Sequence, residues 1–256
     1  MAFTTINNGS LFMNTKLYTG DSASSRTIAG IGFEPSLTWN KPRTTANDHQ
    51  WVDAVRGGGK VISSNLADAE YTAGNTILSF NSDGFTCGDG ASVNANGVDY
   101  VSWNWKANGA GSANTDGSIN TTYTSANTTA GFSIIKYAGT GSSGTIGHGL
   151  SATPKVLIIK EIDGTESWRV WHRDAPNYST TALSLNSSSA EFSQTNWIGT
   201  VDNSIITLGT DSSINTSGNN YICYAFAEKQ GFSKFSSYTG NGNNDGSFIY
   251  TGFSTA

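Results

Sequence analysis

Three histidines, His49, His148 and His172, are the first side chains to weigh as chemistry. A helical zinc site takes two histidines four residues apart, and none of these lies within that spacing of another, so all three are expected as polar loop residues. Cys87 and Cys223 are the only cysteines. Two cysteines make neither a disulfide framework nor a tetrahedral cysteine site, and free thiols in a reducing compartment are the expectation. Asp83, Asp89 and Asp99, and the run Asn241 to Gly246, offer the oxygens a hard cation takes. The second run lacks the bidentate acid of a calcium loop, and turn chemistry is the preferred reading of both. Gly57, Gly58 and Gly59 between Arg56 and Lys60 match no phosphate-loop spacing, and no helix follows to supply a positive dipole. No serine sits on a strand, sharp turn and helix of the kind that presents a nucleophile. The residues therefore point to no catalytic group, metal site or cofactor, and the chain reads as non-enzymatic.

The elements that would have to position any site are short strands. The 256 residues include 30 glycines and only 13% charged residues, with 36% hydrophobic and 11% aromatic. That is the composition of an all-β protein with many turns, apolar enough to fold. Fourteen basic against nineteen acidic residues give 14 − 19 = −5, which leaves no basic field for nucleic acid or an anionic membrane surface. No apolar run approaches the roughly 18 to 20 residues that span a bilayer, and the first residues carry no recognisable export signal.

Self-comparison finds an internal repeat. Phe85, Thr86, Cys87, Gly88, Val93, Asn94, Gly97 and Tyr100 recur as Ile206, Thr207, Leu208, Gly209, Ile214, Asn215, Gly218 and Tyr221, an offset of 206 − 85 = 121. Tyr18 and Gly20 answer to Tyr137 and Gly139, Pro35 to Pro154, and Trp51 to Trp171. A third opening appears where Gly131, Phe132 and Ser133 recur as Gly231, Phe232 and Ser233. The expected fold is all-β: two tandem antiparallel β-sandwich repeats of jelly-roll-like type plus a C-terminal partial repeat. Residues 1–107 form the first module with an N-terminal arm, 108–130 a polar linker or edge hairpin anchored by Ile119 and Tyr123, 131–230 the second module, and 231–256 a partial third repeat able to donate strands. Either that last segment lends strands to a neighbour, or the sequence is part of a longer polypeptide.

The repeat also sorts the seven tryptophans. Trp39 aligns with Ile158, Trp51 with Trp171, and Trp103 and Trp105 with Tyr224 and Phe226, so bulk at these positions is expected in the core. Trp168 and Trp197 have no aromatic counterpart in the first copy. They are the candidates for surface or ligand contact, since an exposed aromatic face is how a protein grips a sugar ring. Phe232, Phe235, Tyr238, Phe248, Tyr250 and Phe253 are too apolar to remain in water and are the candidate assembly contacts.

MAFTTINNGSLFMNTKLYTG at Met1 to Gly20, the stretch Trp51 to Phe85, YVSWNWKA at Tyr100 to Ala107, ANTTAGFSIIKYAGTG at Ala126 to Gly141 and GFSKFSSYTGNG at Gly231 to Gly242 resemble the repeated module of bacteriophage virion proteins, mostly from marine and cyanobacterial phages. The resemblance covers nearly the whole chain. It implies a structural virion component of tail-fibre or appendage type, assembled in the host cytoplasm. The implied partners are copies of itself, a trimer among the options, and other virion proteins, with host-surface polysaccharide left open. A capsid decoration protein and a carbohydrate-binding adhesin module are the alternatives. The family has no active site to carry over.

Overall fold

The computed structural model describes residues 4–253; the outermost residues of the N-terminal arm and of the partial third repeat lie outside that range. The chain is all-β and antiparallel. Its first half holds β1 (Met13–Thr19), β2 (Arg26–Ala29), β3 (Leu37–Pro42), β4 (Gln50–Asp53), β5 (Lys60–Ser63), β6 (Tyr71–Thr72), β7 (Ile77–Asn81), β8 (Gly84–Cys87) and β9 (Asp99–Trp105). β10 (Ser112–Asn114) and β11 (Thr121–Asn127) form a hairpin. The second half holds β12 (Phe132–Ala138), β13 (Gly144–Gly147), β14 (Val156–Glu161), β15 (Arg169–His172), β16 (Thr181–Ser184), β17 (Phe192–Ser193), β18 (Ile198–Val201), β19 (Ile205–Leu208), the short helix α1 (Ser212–Asn215) and β20 (Asn220–Phe226). No helix among the described residues is long and apolar enough to cross a membrane.

Strand order is the same in the two halves. A six-stranded sheet runs β1-β9-β3-β4-β5-β6 and faces a three-stranded sheet β2-β8-β7. In the second half β12-β20-β14-β15-β16-β17 faces β13-β19-β18. In each, the first strand pairs with the last and the second with the next to last, the wrap of a jelly roll. Strand starts differ by 132 − 13 = 119 at the beginning of the modules and by 220 − 99 = 121 at their end, the extra residues falling in loops.

Each sandwich closes over its own core. Ile28, Val52, Val61, Ile77, Phe85 and Cys87 fill the first, and Ile135, Leu157, Ile159, Trp171, Ile206, Leu208 and Cys223 are among those that fill the second. The same tyrosine device locks first strand to last in both. Tyr18 stacks on Tyr100 at 5.2 Å and Tyr137 on Tyr221 at 5.3 Å, and the hydroxyls of Tyr18 and Tyr137 donate to the carbonyls of Val93 and Ile214 at 2.7 and 2.8 Å. Gly20 and Gly139 follow these strands because any β-carbon there would collide with the carbonyl of Ala95 or Thr216.

One expected alignment is off by a residue. Ile158, the counterpart of Trp39, pairs with Val170, whereas Trp39 pairs with Trp51; the counterpart of Trp51 is therefore Val170, not Trp171. Because side chains alternate along a strand, that single step puts the two tryptophans on opposite faces. Trp171 points into the second sandwich's core, and Trp51 points out of the first. Residues 108–130 are no free linker: β11 pairs with β12 along the sheet edge, and the Ile119 amide donates to the Thr145 carbonyl at 2.9 Å, covering β13 as well. Ile119 packs on the core beside it, but Tyr123 is 42% exposed and anchors nothing.

Candidate functional site at the seam between the sandwiches

A third apolar cluster lies between the six-stranded sheet of the first half and the second half's large sheet, which β10 and β11 extend to eight strands; the outer faces of the two pack against each other. The first sheet contributes Leu37, Trp51, Ile62 and the half-buried Trp39 and Trp105; the second contributes Phe132, Ile134, Trp168, Ile222 and Tyr224. Alternation forces this arrangement. With Tyr221, Cys223 and Ala225 inside their own sandwich, Ile222, Tyr224 and Phe226 must face out, and only burial against a second apolar face keeps them from water. The tryptophans expected in module cores, Trp39, Trp51, Trp103 and Trp105, thus face outward from their own module. Trp39 lies 5.1 Å from Trp103 and 5.2 Å from Trp51, and Trp51 meets Trp168 and Tyr224 edge-on at 5.1 and 4.8 Å.

A buried polar latch sits within the seam. Asp53 and Arg56 are fully buried and joined at 2.6 Å, and the Arg56 guanidinium also donates to Glu70 at 3.2 Å and to the Trp51 carbonyl at 3.0 Å. From the other sandwich the Tyr224 hydroxyl donates to Asp53 Oδ2 at 2.7 Å. Burial would drive the arginine toward neutrality, but Asp53, then Tyr224 and Glu70, hold it charged and its pKa rises. Burial, and after it Asp53, pushes the Tyr224 phenol well above its ordinary value. Arg56 is therefore a structural cation with every direction occupied, and Gly58 is required because the Leu78 carbonyl stands where a β-carbon would go. Lys160, also inaccessible, donates to the carbonyls of Glu161 and Gly164 at 2.5 and 3.0 Å, and burial lowers it to about 8.

Trp168 and Trp197, read from sequence as surface contacts, are 0% and 1% exposed. Trp168 plugs the seam, its indole N–H donating to the carbonyls of Ser63 and Leu66 in the other sandwich at 3.0 and 3.1 Å. Trp197 lies in the second core. An aromatic without a counterpart signals surface only if the two copies share the same surroundings; across the seam they do not. His148 lies in the loop after β13, as expected, but it is buried there: its Nδ1 accepts from the Leu150 amide at 3.2 Å, Nε2 faces the Asp202 carbonyl, and burial lowers its pKa. His172 ends a strand rather than lying in a loop. Asp83 receives the amides of Gly30 and Gly32 at 2.9 and 2.6 Å, which hold its carboxyl below the usual range and make it a turn cap. Cys87 and Cys223 are free and buried. Among the described residues no three His, Cys, Asp or Glu side chains converge.

The seam does not close at one end. There Phe12, Trp105, Phe132 and Phe226 line an apolar cleft of about 630 Å³, roofed by Phe232, Phe235 and Phe253 from the C-terminal segment. Phe235 lies 5.8 Å from Phe226 and Phe232 6.2 Å from Phe12, so half of the candidate assembly contacts pack onto their own chain. The other half do not: Tyr238, Phe248 and Tyr250 are 71%, 89% and 79% exposed. Sequence reading missed Phe12 and the Asp53–Tyr224 contact, and for the latter no local signal exists, because the partners are 171 residues apart.

The profile of a domain of unknown function, DUF7483, matches residues 8–256. The chain belongs to that family. The matched range takes in both sandwiches, the hairpin and the tail that roofs the cleft. No curated protein and no solved structure matches the chain.

Proposed function

We propose that this chain is a non-enzymatic building block of a bacteriophage virion, of the tail-fibre or appendage type, that associates with copies of itself. The observation that carries the reading is the seam. Two sandwiches joined broad face to broad face by an aromatic cluster and a buried latch make a stiff unit, and most of the large apolar side chains left exposed belong to the approach to β1, β1 itself and the C-terminal tail. Asp53, Arg56 and His148 are satisfied internally, which suits a part that holds shape. The resemblance of Met1 to Gly20, Tyr100 to Ala107 and Gly231 to Gly242 to phage virion modules supplies the setting. Glycan contact through Trp168 and Trp197 has no place in the reading, since neither reaches the surface. The test is location: antibody labelling and electron microscopy of purified virions are expected to put the chain on a fibre or appendage. Labelling on the head surface would favour a decoration role, and absence from purified particles would overturn the proposal.

A further inference from the structure

Nine large apolar side chains are exposed among the described residues, and six of them, Leu11, Leu17, Tyr238, Phe248, Ile249 and Tyr250, belong to two segments. Those segments, the stretch leading into and along β1 and the C-terminal tail, touch through Phe12 and Phe232 and line the same cleft. The patch is therefore one surface built from distant parts of the sequence.

The backbone beside it is open as well. β12 has β11 on its outer side, but its counterpart β1 has β9 as its single neighbour. The cause lies at the turn. In the second half Asn127 starts a tight reversal, accepting from the amides of Ala130 and Gly131, and Gly131 takes a φ of +71°. The matching position, 131 − 119 = 12, is Phe12, whose φ is −126°. A phenylalanine is strongly disfavoured at positive φ, so the chain entering β1 makes a 3-10 turn at Gly9–Leu11 and does not fold back along the strand. β1 is left as a seven-residue edge with a single charge, Lys16, whereas natural sheets guard open edges with several charges or a bulge.

We infer that this face is where two copies of the chain meet, with Phe248 and Tyr250 of each copy packing on β1 and the cleft mouth of the other. The tail's own geometry turns these two rings away from its own cleft. Before the bend at Gly252, whose φ is +82°, successive side chains alternate, so Ile249 and Thr251 share one side and Phe248 and Tyr250 the other. Phe253, beyond the bend, lines the cleft; Ile249 is 47% exposed and Thr251 half-buried, while Phe248 and Tyr250 are 89% and 79% exposed. Donor rings and acceptor edge lie on one surface, which is the requirement for a two-fold contact in which each copy gives and receives. Asp245 is the only charge between Ser236 and Gly252, so little ionic hydration is lost on closure. Two rings from each copy would bury on the order of 600–1,000 Å² of their own surface, and with the surface they cover on β1 and the cleft mouth the contact reaches the roughly 1,000 Å² that a specific interface needs.

The inference rests on the self-association proposed above, and its test separates the two. Light scattering on the full chain at up to roughly 100 µM is expected to give the mass of two chains, with dissociation on dilution. The double variant Phe248→Ser, Tyr250→Ser on the donor side, and Leu17→Lys on the acceptor side, are each expected to weaken association about thirtyfold or more while leaving the far-ultraviolet circular dichroism and melting temperature unchanged. Copies carrying Tyr250→Cys mixed with copies carrying Leu17→Cys are expected to form an intermolecular disulfide. Association that neither variant weakens would overturn the location and leave self-association standing. A wild-type monomer across the whole concentration range would overturn both, without bearing on where the protein sits in a particle.

Discussion

Replacing Tyr224 by Phe deletes one oxygen at the centre of the seam and almost no volume. The hydroxyl donates to Asp53 Oδ2 at 2.7 Å, and the Asp53 side chain has no access to solvent, so no water replaces the lost donor. Asp53 keeps the Arg56 side chain and the Arg56 amide, which prevents an uncompensated buried charge. The cost is then that of one hydrogen bond to a buried charged group, about 1.5–3 kcal/mol, or roughly 3–12 °C in Tm for a chain of this length. Asp53→Ala is harsher, since it strands a buried guanidinium, and about 3–5 kcal/mol is expected. Urea unfolding followed by tryptophan fluorescence and by circular dichroism is the assay. If the seam couples the sandwiches, the wild type unfolds in one transition by both probes, and Tyr224→Phe moves the whole of it. A shift below about 0.5 kcal/mol, the usual range for changes away from such features, would refute the claim that this contact joins the modules. Two separable transitions, one of them unmoved, would refute the coupling.

Lys160 is held at about 8 against an ordinary 10.5 by burial, so the folded chain carries the cost of a buried ammonium below pH 8. That cost is relieved as the pH rises to 10.5, because there the unfolded chain binds more protons; relative to Lys160→Met, the wild type is expected to gain up to about 3 kcal/mol across that window in paired urea titrations. A difference that stays flat with pH would remove the lysine from the titration. Cys87 and Cys223, whose thiols burial raises, are expected to resist alkylation in the folded chain and to take two labels in denaturant, as read by intact mass; a two-hydrogen change on reduction would instead report a disulfide. Gly139→Ala drives a methyl group into the Thr216 carbonyl and is expected to cost about 1–3 kcal/mol in urea unfolding, and an unchanged midpoint would mean that the two loops separate freely.

The sandwiches were legible because their signals are local and doubled. The pairs Tyr18 with Tyr137 and Tyr100 with Tyr221, and the glycines after the first strands, mark the same stations in both copies, and the strand order follows them. The seam was not legible. Tyr221 to Phe226 carries apolar or aromatic side chains on both faces and both are covered, but nothing in that pattern says whether the second cover is the same module or another. Matching Trp51 to Trp171 by residue type placed two tryptophans on one face when the register puts them on opposite ones. The cleft depends on contacts such as Phe12 with Phe232 that span nearly the whole chain, so no window of sequence contains them.

Broad-face packing of the sandwiches has a mechanical consequence. Modules strung end to end on linkers bend at the linkers, and relative motion between them is the default. Here no such hinge is exposed: tilting one sandwich against the other means sliding Trp51 off Trp168 and drawing Tyr224 away from Asp53. A pull that separates the halves must therefore break a whole aromatic face at once, and the pair is expected to transmit torque and tension as a single short rod until it fails abruptly.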